Sequence, residues 1–192
     1  MTMLTEKLKE RTARVHQESE KKMIRALKRI DTTEEYIQML NWLYGFYAPI
    51  ETLVYSQLTP ELFPEIEKRC RAEFIRWDMK ESGIPPLQPN ICEELPRIDS
   101  FPRALGALYV MEISTLGGRV IASLISRQLG SSQSLSFFSG YGAETAFMWQ
   151  TFKDFLDQPF TNEEKQEILS AAEETFLIFK NWIDRHELQP QS

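Results

Sequence analysis

Apolar residues recur every three or four positions along almost the whole chain, and the strict alternation of a half-buried strand is nowhere convincing. Leu4, Leu8, Thr12, Val15, Ser19 and Met23 share one face of a first helix that runs to about Lys28, with charge on the opposite face. Asp31, Thr32 and Thr33 then offer capping oxygens to a second, aromatic helix whose stripe is Tyr36, Met39, Leu40, Leu43, Phe46, Tyr47, Ile50 and Val54. Pro49 falls inside that helix and is expected to kink it, because proline lacks the donor for one backbone hydrogen bond. Periodicity through Phe63, Ile66, Phe74 and Trp77 predicts a third helix over about Pro60 to Lys80. The stretch SGIPPLQPNICEELP breaks the pattern with four prolines and reads as a surface excursion, since neither flank carries a complete core of its own.

Asp99, Ser100 and Pro102 mark the start of a long, nearly all-apolar helix that ends near Leu129 and Gly130. SSQSLSFFSGYG reads as a connector, and AETAFMWQTFKDFLDQ as a helix packing Phe147, Met148, Phe152 and Phe155. The last helix, TNEEKQEILSAAEETFLIFKNWIDRHEL, is capped by Thr161 with Glu164 three residues on, and its stripe runs Ile168, Leu169, Ala172, Phe176, Phe179 and Ile183. The expected fold is all-α: one domain over residues 1–192, a bundle of about six helices with no internal repeat.

Composition narrows the function classes. The 192 residues are 42% hydrophobic and 11% aromatic, enough for a sizeable core. Lys and Arg total 22 against 28 Asp and Glu, and the net charge of −6 argues against nucleic acid or an anionic membrane as partner. Cys70 and Cys92 form no CxxC pair, and no cysteine–histidine cluster of zinc type is present, which points to a reducing, cytoplasmic setting. The stretch MTMLTEKLKE lacks a hydrophobic signal core and no run of about 18 uninterrupted apolar residues occurs, so membrane insertion is not expected.

Few catalytic constellations survive inspection. With two histidines, His16 and His186, a serine hydrolase would have to use one of them, yet no GxSxG elbow is present, nor any P-loop or GxGxxG fingerprint. Neither histidine follows a Glu by three residues, which disfavours a carboxylate-bridged di-iron bundle. His186 lies in the last helical turn, where an imidazolium would suit the helix dipole. His16 sits at the edge of the first helix's apolar stripe, with Thr12 and Glu20 one turn either side and Lys9 on roughly the same face. On that position alone, an exposed or structural histidine is favoured over a ligand, since amphipathic helices commonly carry such a residue at the stripe edge.

Gly117 and Gly118 shift that balance. Each costs about 1 kcal/mol relative to alanine inside a helix. Either another helix approaches closely there or a flat ligand lies on the bare backbone. A histidine facing bare glycine across a gap would make a slot for a planar metal macrocycle, and haem fits that description.

These stretches also resemble a known family. LKERTARVHQESE is similar to the proximal-helix signature of haem oxygenases, Leu-Lys-Glu-x-Thr-x-x-Val-His with a Glu four residues later. YVMEISTLGGRVI resembles the distal-helix motif of their bacterial, biliverdin-producing branch, YVxEGSTLGGxxI, and YGAETAFMWQTF and YIQMLNWLYGFYAPIE match in the same order along the chain. The resemblance implies a haem pocket and O2-dependent opening of haem, at once cofactor and substrate, to biliverdin, iron and carbon monoxide, with electrons from a separate reductase or ferredoxin. It implies His16 as the iron ligand, Glu20 as a carboxylate orienting it, and Gly117 and Gly118 as distal backbone close to haem. Lys9, about 10 Å along the helix from His16, would reach a haem propionate, or would be a solvated surface lysine. A second propionate contact falls to Lys153, with Gln150 near the aligned basic position, and Arg119 is a further candidate. Ser114 would hold ordered water for proton delivery, or pack against its own helix backbone.

One residue departs from the pattern. Ile113 stands where the motif has glycine, one turn before Gly117, and its β-branched side chain would fill space that glycine leaves open. A non-catalytic haem-binding or interaction protein is therefore the alternative to an oxygenase. A thiaminase-like or di-iron relative is the weaker third reading, since its constellation is not evident.

Overall fold

The computed structural model describes residues 3–69, 71–84, 88–130 and 133–187. Its helices are α1 (Leu4–Leu27), α2 (Thr33–Gln57), α3 (Ala72–Glu81), α4 (Phe101–Leu129), a one-turn α5 (Ser136–Ser139), α6 (Thr145–Leu156) and α7 (Asn162–Glu187). Short 3-10 turns cover Ile66–Arg69 and Gly142–Glu144. Cys70, Pro85, Pro86 and the ends of the connector and C-terminal readings lie outside the described residues.

The long helices begin where their caps predict. Thr32 accepts from the Glu35 N–H while the Glu35 carboxylate returns to the Thr32 N–H, a reciprocal capping box. Ser100 accepts from the Arg103 N–H at α4, and Thr161 and Glu164 repeat the reciprocal pattern at α7.

α2 continues through Pro49 without a break. The missing Pro49 donor frees the Gly45 carbonyl, which accepts the Cys92 N–H at 2.9 Å instead. A Cβ on Gly45 would collide with the Asn90 backbone, so Gly45 and Pro49 together build the seat for the extended segment 88–92.

The predicted single helix over Pro60–Lys80 is instead a turn, a 3-10 segment and then the separate α3. The reason is the burial of both Arg69 and Arg71. Residues two apart point to different sides of one helix, so the chain leaves helical geometry between them to turn both guanidiniums inward. Glu51 then caps α3, its carboxylate accepting the N–H groups of Arg71 and Ala72. Phe74 and Trp77, assigned to the stripe, face solvent, as does Phe147 on α6.

α4 is long and apolar enough to cross a membrane by length and composition, although polar residues interrupt its apolar run. Here it lies centrally, packed against α7, α2 and α5. α1 also packs on α7, held by ion pairs from Arg11 to Glu173 (2.8 Å) and from Lys22 to Asp184. α1 and α4 scarcely touch each other. Two helices seated on a common third, with little contact of their own, leave a gap between them.

Candidate functional site

That gap is a cleft with two lobes. The inner lobe, about 290 Å³, has His16, Ser19, Glu20, Met23 and Ile24 of α1 on one wall and α4 from Val110 to Ile121 on the other. Leu43, Phe46 and Tyr47 of α2, Phe137 and Phe138 of α5, and Phe176 and Phe179 of α7 close it. The outer lobe, about 520 Å³, is lined by Lys9, Thr12, Arg14, Gln17 and Tyr109 among others. His16, Glu20 and Ile113 line both lobes.

His16 is fixed by what surrounds it. Its ring lies 5.0 Å from that of Phe176, and its Nε2 is 3.4 Å from the Glu20 carboxylate one turn on. The ion pairs of Arg11 and Lys22 clasp α1 to α7 on either side of it. An imidazole with one nitrogen engaged by a carboxylate has the other left to ligate, which is the arrangement metal-binding histidines use. Among the described residues no group of three or more His, Cys, Asp and Glu side chains is placed to hold a bare metal ion. His16 can therefore serve a metal only when most of the other ligands arrive with it, as in a macrocycle.

The two glycines have different reasons. A Cβ on Gly117 would meet nothing within 4 Å, so its bare backbone faces open space in the inner lobe. A Cβ on Gly118 would lie well under 3.0 Å from the Phe138 carbonyl oxygen. Gly118 thus lets α5 close on α4, while it also lines the inner lobe.

Ser114 is committed to protein partners. Its hydroxyl donates to the Met111 carbonyl (2.6 Å) and accepts from the Tyr47 hydroxyl (2.9 Å). One acceptor site on its oxygen remains. Burial pushes the Tyr47 hydroxyl above its ordinary pKa, keeping it a donor.

Behind the cleft lies a polar layer that periodicity did not disclose. Arg69, fully buried, pairs with the buried Glu112 and with Glu65 (2.9 Å), and donates to the Met148 carbonyl and Thr151. Tyr141 donates to the other Glu112 oxygen at 2.5 Å. A charge pair so removed from water stands only because its remaining lone pairs are matched. Burial raises the Glu112 pKa in spite of Arg69.

Glu51 shows the same effect with a measurable consequence. Burial lifts its pKa from 4.5 to about 7, against the opposing pull of the Arg71 and Ala72 N–H groups and the Arg71 charge; Glu73 adds slightly to the rise. A raised acid holds its proton longer in the folded state, so this contribution is present at low pH and is lost as pH rises through about 7. Glu51→Gln should therefore gain stability relative to wild type between pH 5 and pH 8, by up to about 3 kcal/mol, in urea unfolding. A constant difference between the two proteins across that range would refute the assignment.

The remaining candidates separate. Lys9 is exposed at the rim of the outer lobe. Lys153, on α6, lines neither lobe, and Gln150 bonds Asp154 on the same helix. Arg119 leaves the cleft to donate to the Gly142 carbonyl at 2.6 Å. His186 is not a dipole-stabilised imidazolium: its ring lies against Trp182 (4.3 Å) and Trp42 (5.5 Å), and burial lowers its pKa. Sequence reasoning missed Tyr47 and Arg71 as cleft polar groups. The signal for Tyr47 was its hydroxyl within an otherwise apolar stripe, and for Arg71 its place between apolar positions on either side.

Comparison with known proteins agrees with this architecture. No curated protein matches the chain. Among solved structures, the chain is similar to the NO- and CO-bound heme oxygenase of Neisseria meningitidis, with TM-score 0.79 and 21% identity, covering 100% of this chain and 96% of that one. It is also similar to heme oxygenase from Leptospira interrogans, with TM-score 0.74 and 21% identity over 96% of this chain and 100% of that one. At these identities the likeness establishes the fold. The family model described as Heme oxygenase matches residues 2–185, nearly the whole chain. With an all-α fold of that type and that match, the chain belongs to the haem oxygenase family.

Proposed function

We propose that this protein is a catalytic haem oxygenase that binds haem between α1 and α4 and opens it with O2 to biliverdin, iron and carbon monoxide. The observation that carries the reading is the placing of His16 and the bare Gly117 backbone in one apolar cleft, on opposite helices. Bound haem would supply the iron and the ring that is opened, with electrons from a separate reductase or ferredoxin. His16 would hold the iron, with the Glu20 carboxylate 3.4 Å from its Nε2 and the contact with Phe176 limiting the ring's rotation. Gly117 keeps the distal wall thin enough for a flat ring, while Gly118 anchors that wall on α5. Lys9 offers its ammonium to a carboxylate at the outer lobe. The Tyr47–Ser114 hydroxyl pair offers its remaining acceptor site to solvent in the distal space, from which protons are delivered.

Ile113 favours a second reading. It lines both lobes beside His16, where its side chain divides the space a flat ring would span, as expected of a haem-binding protein without turnover. The test supplies hemin, a reductase and O2 and follows the visible spectrum. Catalysis predicts replacement of the haem band by biliverdin absorption in wild type. A haem band that persists through the same cycles, with biliverdin appearing only in Ile113→Gly, would establish the second reading instead.

A further inference from the structure

The exposure of the cleft lining falls from its mouth inward. Val120 is 72% exposed and Ile24 45%, whereas Tyr47, Phe137 and Arg71 at the inner end are buried. Arg71 is 1% exposed and carries a full positive charge. Its Nη2 donates to the Phe137 carbonyl, and the rings of Phe137, Phe74 and Tyr141 lie 5.2 to 5.4 Å from its guanidinium carbon. Nε and Nη1 have no partner.

The contrast with Arg69 is informative. Both arginines are buried, yet Arg69 has two carboxylates, a carbonyl and a hydroxyl and leaves only its Nε without a partner, whereas the Arg71 guanidinium has a single carbonyl. The carboxylates nearest Arg71 are spent elsewhere. Glu51 faces its backbone N–H, and Glu112 is taken by Arg69 and Tyr141. Aromatic faces offset part of a buried cation's desolvation, but neither neutralise it nor satisfy its N–H groups. Glu51 and Glu112 act on the Arg71 charge without bonding its guanidinium; a neutral water would only satisfy a donor, whereas a compact anion would also pair directly with the charge.

We propose that Arg71 makes the inner end of the cleft a binding site for a carboxylate-type anion. The anion is either free, such as formate or bicarbonate, or a carboxylate borne by a larger molecule seated in the cleft. The site stands on the apoprotein's own residues and does not require haem binding.

The probe is formate, titrated into the apoprotein at constant ionic strength set with a bulky salt. Wild type should show a saturable rise in Tm, roughly 3–6 °C at tenfold the Kd. Arg71→Met should lose that rise, and Arg71→Lys should retain part of it. In wild type, the Arg71 Nε–H resonance should move with the same midpoint, a readout that needs no variant to fold. An unmoved resonance, or equal Tm rises in wild type and Arg71→Met, would overturn the proposal. Competition distinguishes the sources. If the anion belongs to a larger ligand, formate weakens hemin binding but not binding of hemin dimethyl ester; if it is free, formate leaves both unchanged. Should hemin fail to bind at all, the oxygenase reading falls while the formate titration still decides the role of Arg71.

Discussion

Gly118→Ala lowers the stability of the folded protein by about 2–3 kcal/mol, and Gly117→Ala raises it by about 1 kcal/mol, although the two glycines are adjacent in one helix. At Gly118 the added methyl would overlap the Phe138 carbonyl oxygen, a backbone atom that cannot swing aside. Relief requires α5 to move off α4, and α5 is pinned by Asp78, which accepts the N–H groups of Ser136 and Phe137 at 2.9 Å each. The gain in helix propensity is smaller than that overlap. At Gly117 nothing lies within 4 Å, so only the propensity gain remains. For a chain of this size the two variants should differ in Tm by roughly 6–16 °C, read by thermal melts of the apoproteins. Gly117→Ala should also weaken hemin binding roughly tenfold, because its methyl enters the space a flat ring needs. Equal destabilisation by both variants would show that both glycines serve packing. A destabilised Gly117→Ala with unchanged hemin affinity would remove the ligand from the account of that residue.

This pair also shows what a sequence discloses and what it withholds. Caps are local, so Thr32 with Glu35, Ser100, and Thr161 with Glu164 place helix starts that the structure keeps. The apolar stripes of α1 and α7 are likewise local, and their burial follows. The break between Ile66 and α3 is not local. It depends on partners that Arg69 finds on α4 and α6, and on Glu51 of α2 capping Ala72. The phenylalanines of SLSFF looked like connector residues because their role, closing the cleft and approaching Gly118, is set by α4 across the fold. The cleft itself follows from α1 and α4 both resting on α7, a relation that no short window contains. His16, Ser114, Gly117 and Ile113 were legible as a set through their motifs. The separation of Gly117 from Gly118, and the departure of Lys153 and Arg119 from the cleft, required coordinates.

The buried polar layer gives the distal wall its definition. Arg69, Glu112 and Tyr141 tie α4 to α6 and to the segment before α3, directly behind the residue that replaces the motif's glycine. Ile113 is therefore borne on a backbone whose neighbour, Glu112, is held by two hydrogen bonds, one charge-assisted from Arg69 and one phenolic from Tyr141. An outward shift of α4 to make room for a ligand would strain that network. Accommodation falls instead to the side chain of Ile113 and to the partly exposed mouth at Ile24 and Val120.

The role of His16 is the claim on which the rest depends, and its removal has the largest expected effect on ligand binding. Among the described residues lining the cleft, His16 is the single imidazole, and the remaining lining is largely apolar and holds a flat ring without fixing its centre. His16→Ala leaves the fold nearly intact, because the ring is partly exposed and its main packing partner is Phe176. Glu20→Gln keeps the ligand and removes only the carboxylate charge 3.4 Å from its ring, so it should shift the spectrum while preserving stoichiometry. The decisive measurement is titration of the purified apoprotein with hemin, followed in the Soret region. Wild type should bind one equivalent saturably with the spectrum of an imidazole-ligated iron, and His16→Ala should lose that spectrum, with exogenous imidazole restoring it. No saturable binding by wild type, or the same spectrum from wild type and His16→Ala, would contradict the assignment of this cleft as a haem site built on His16.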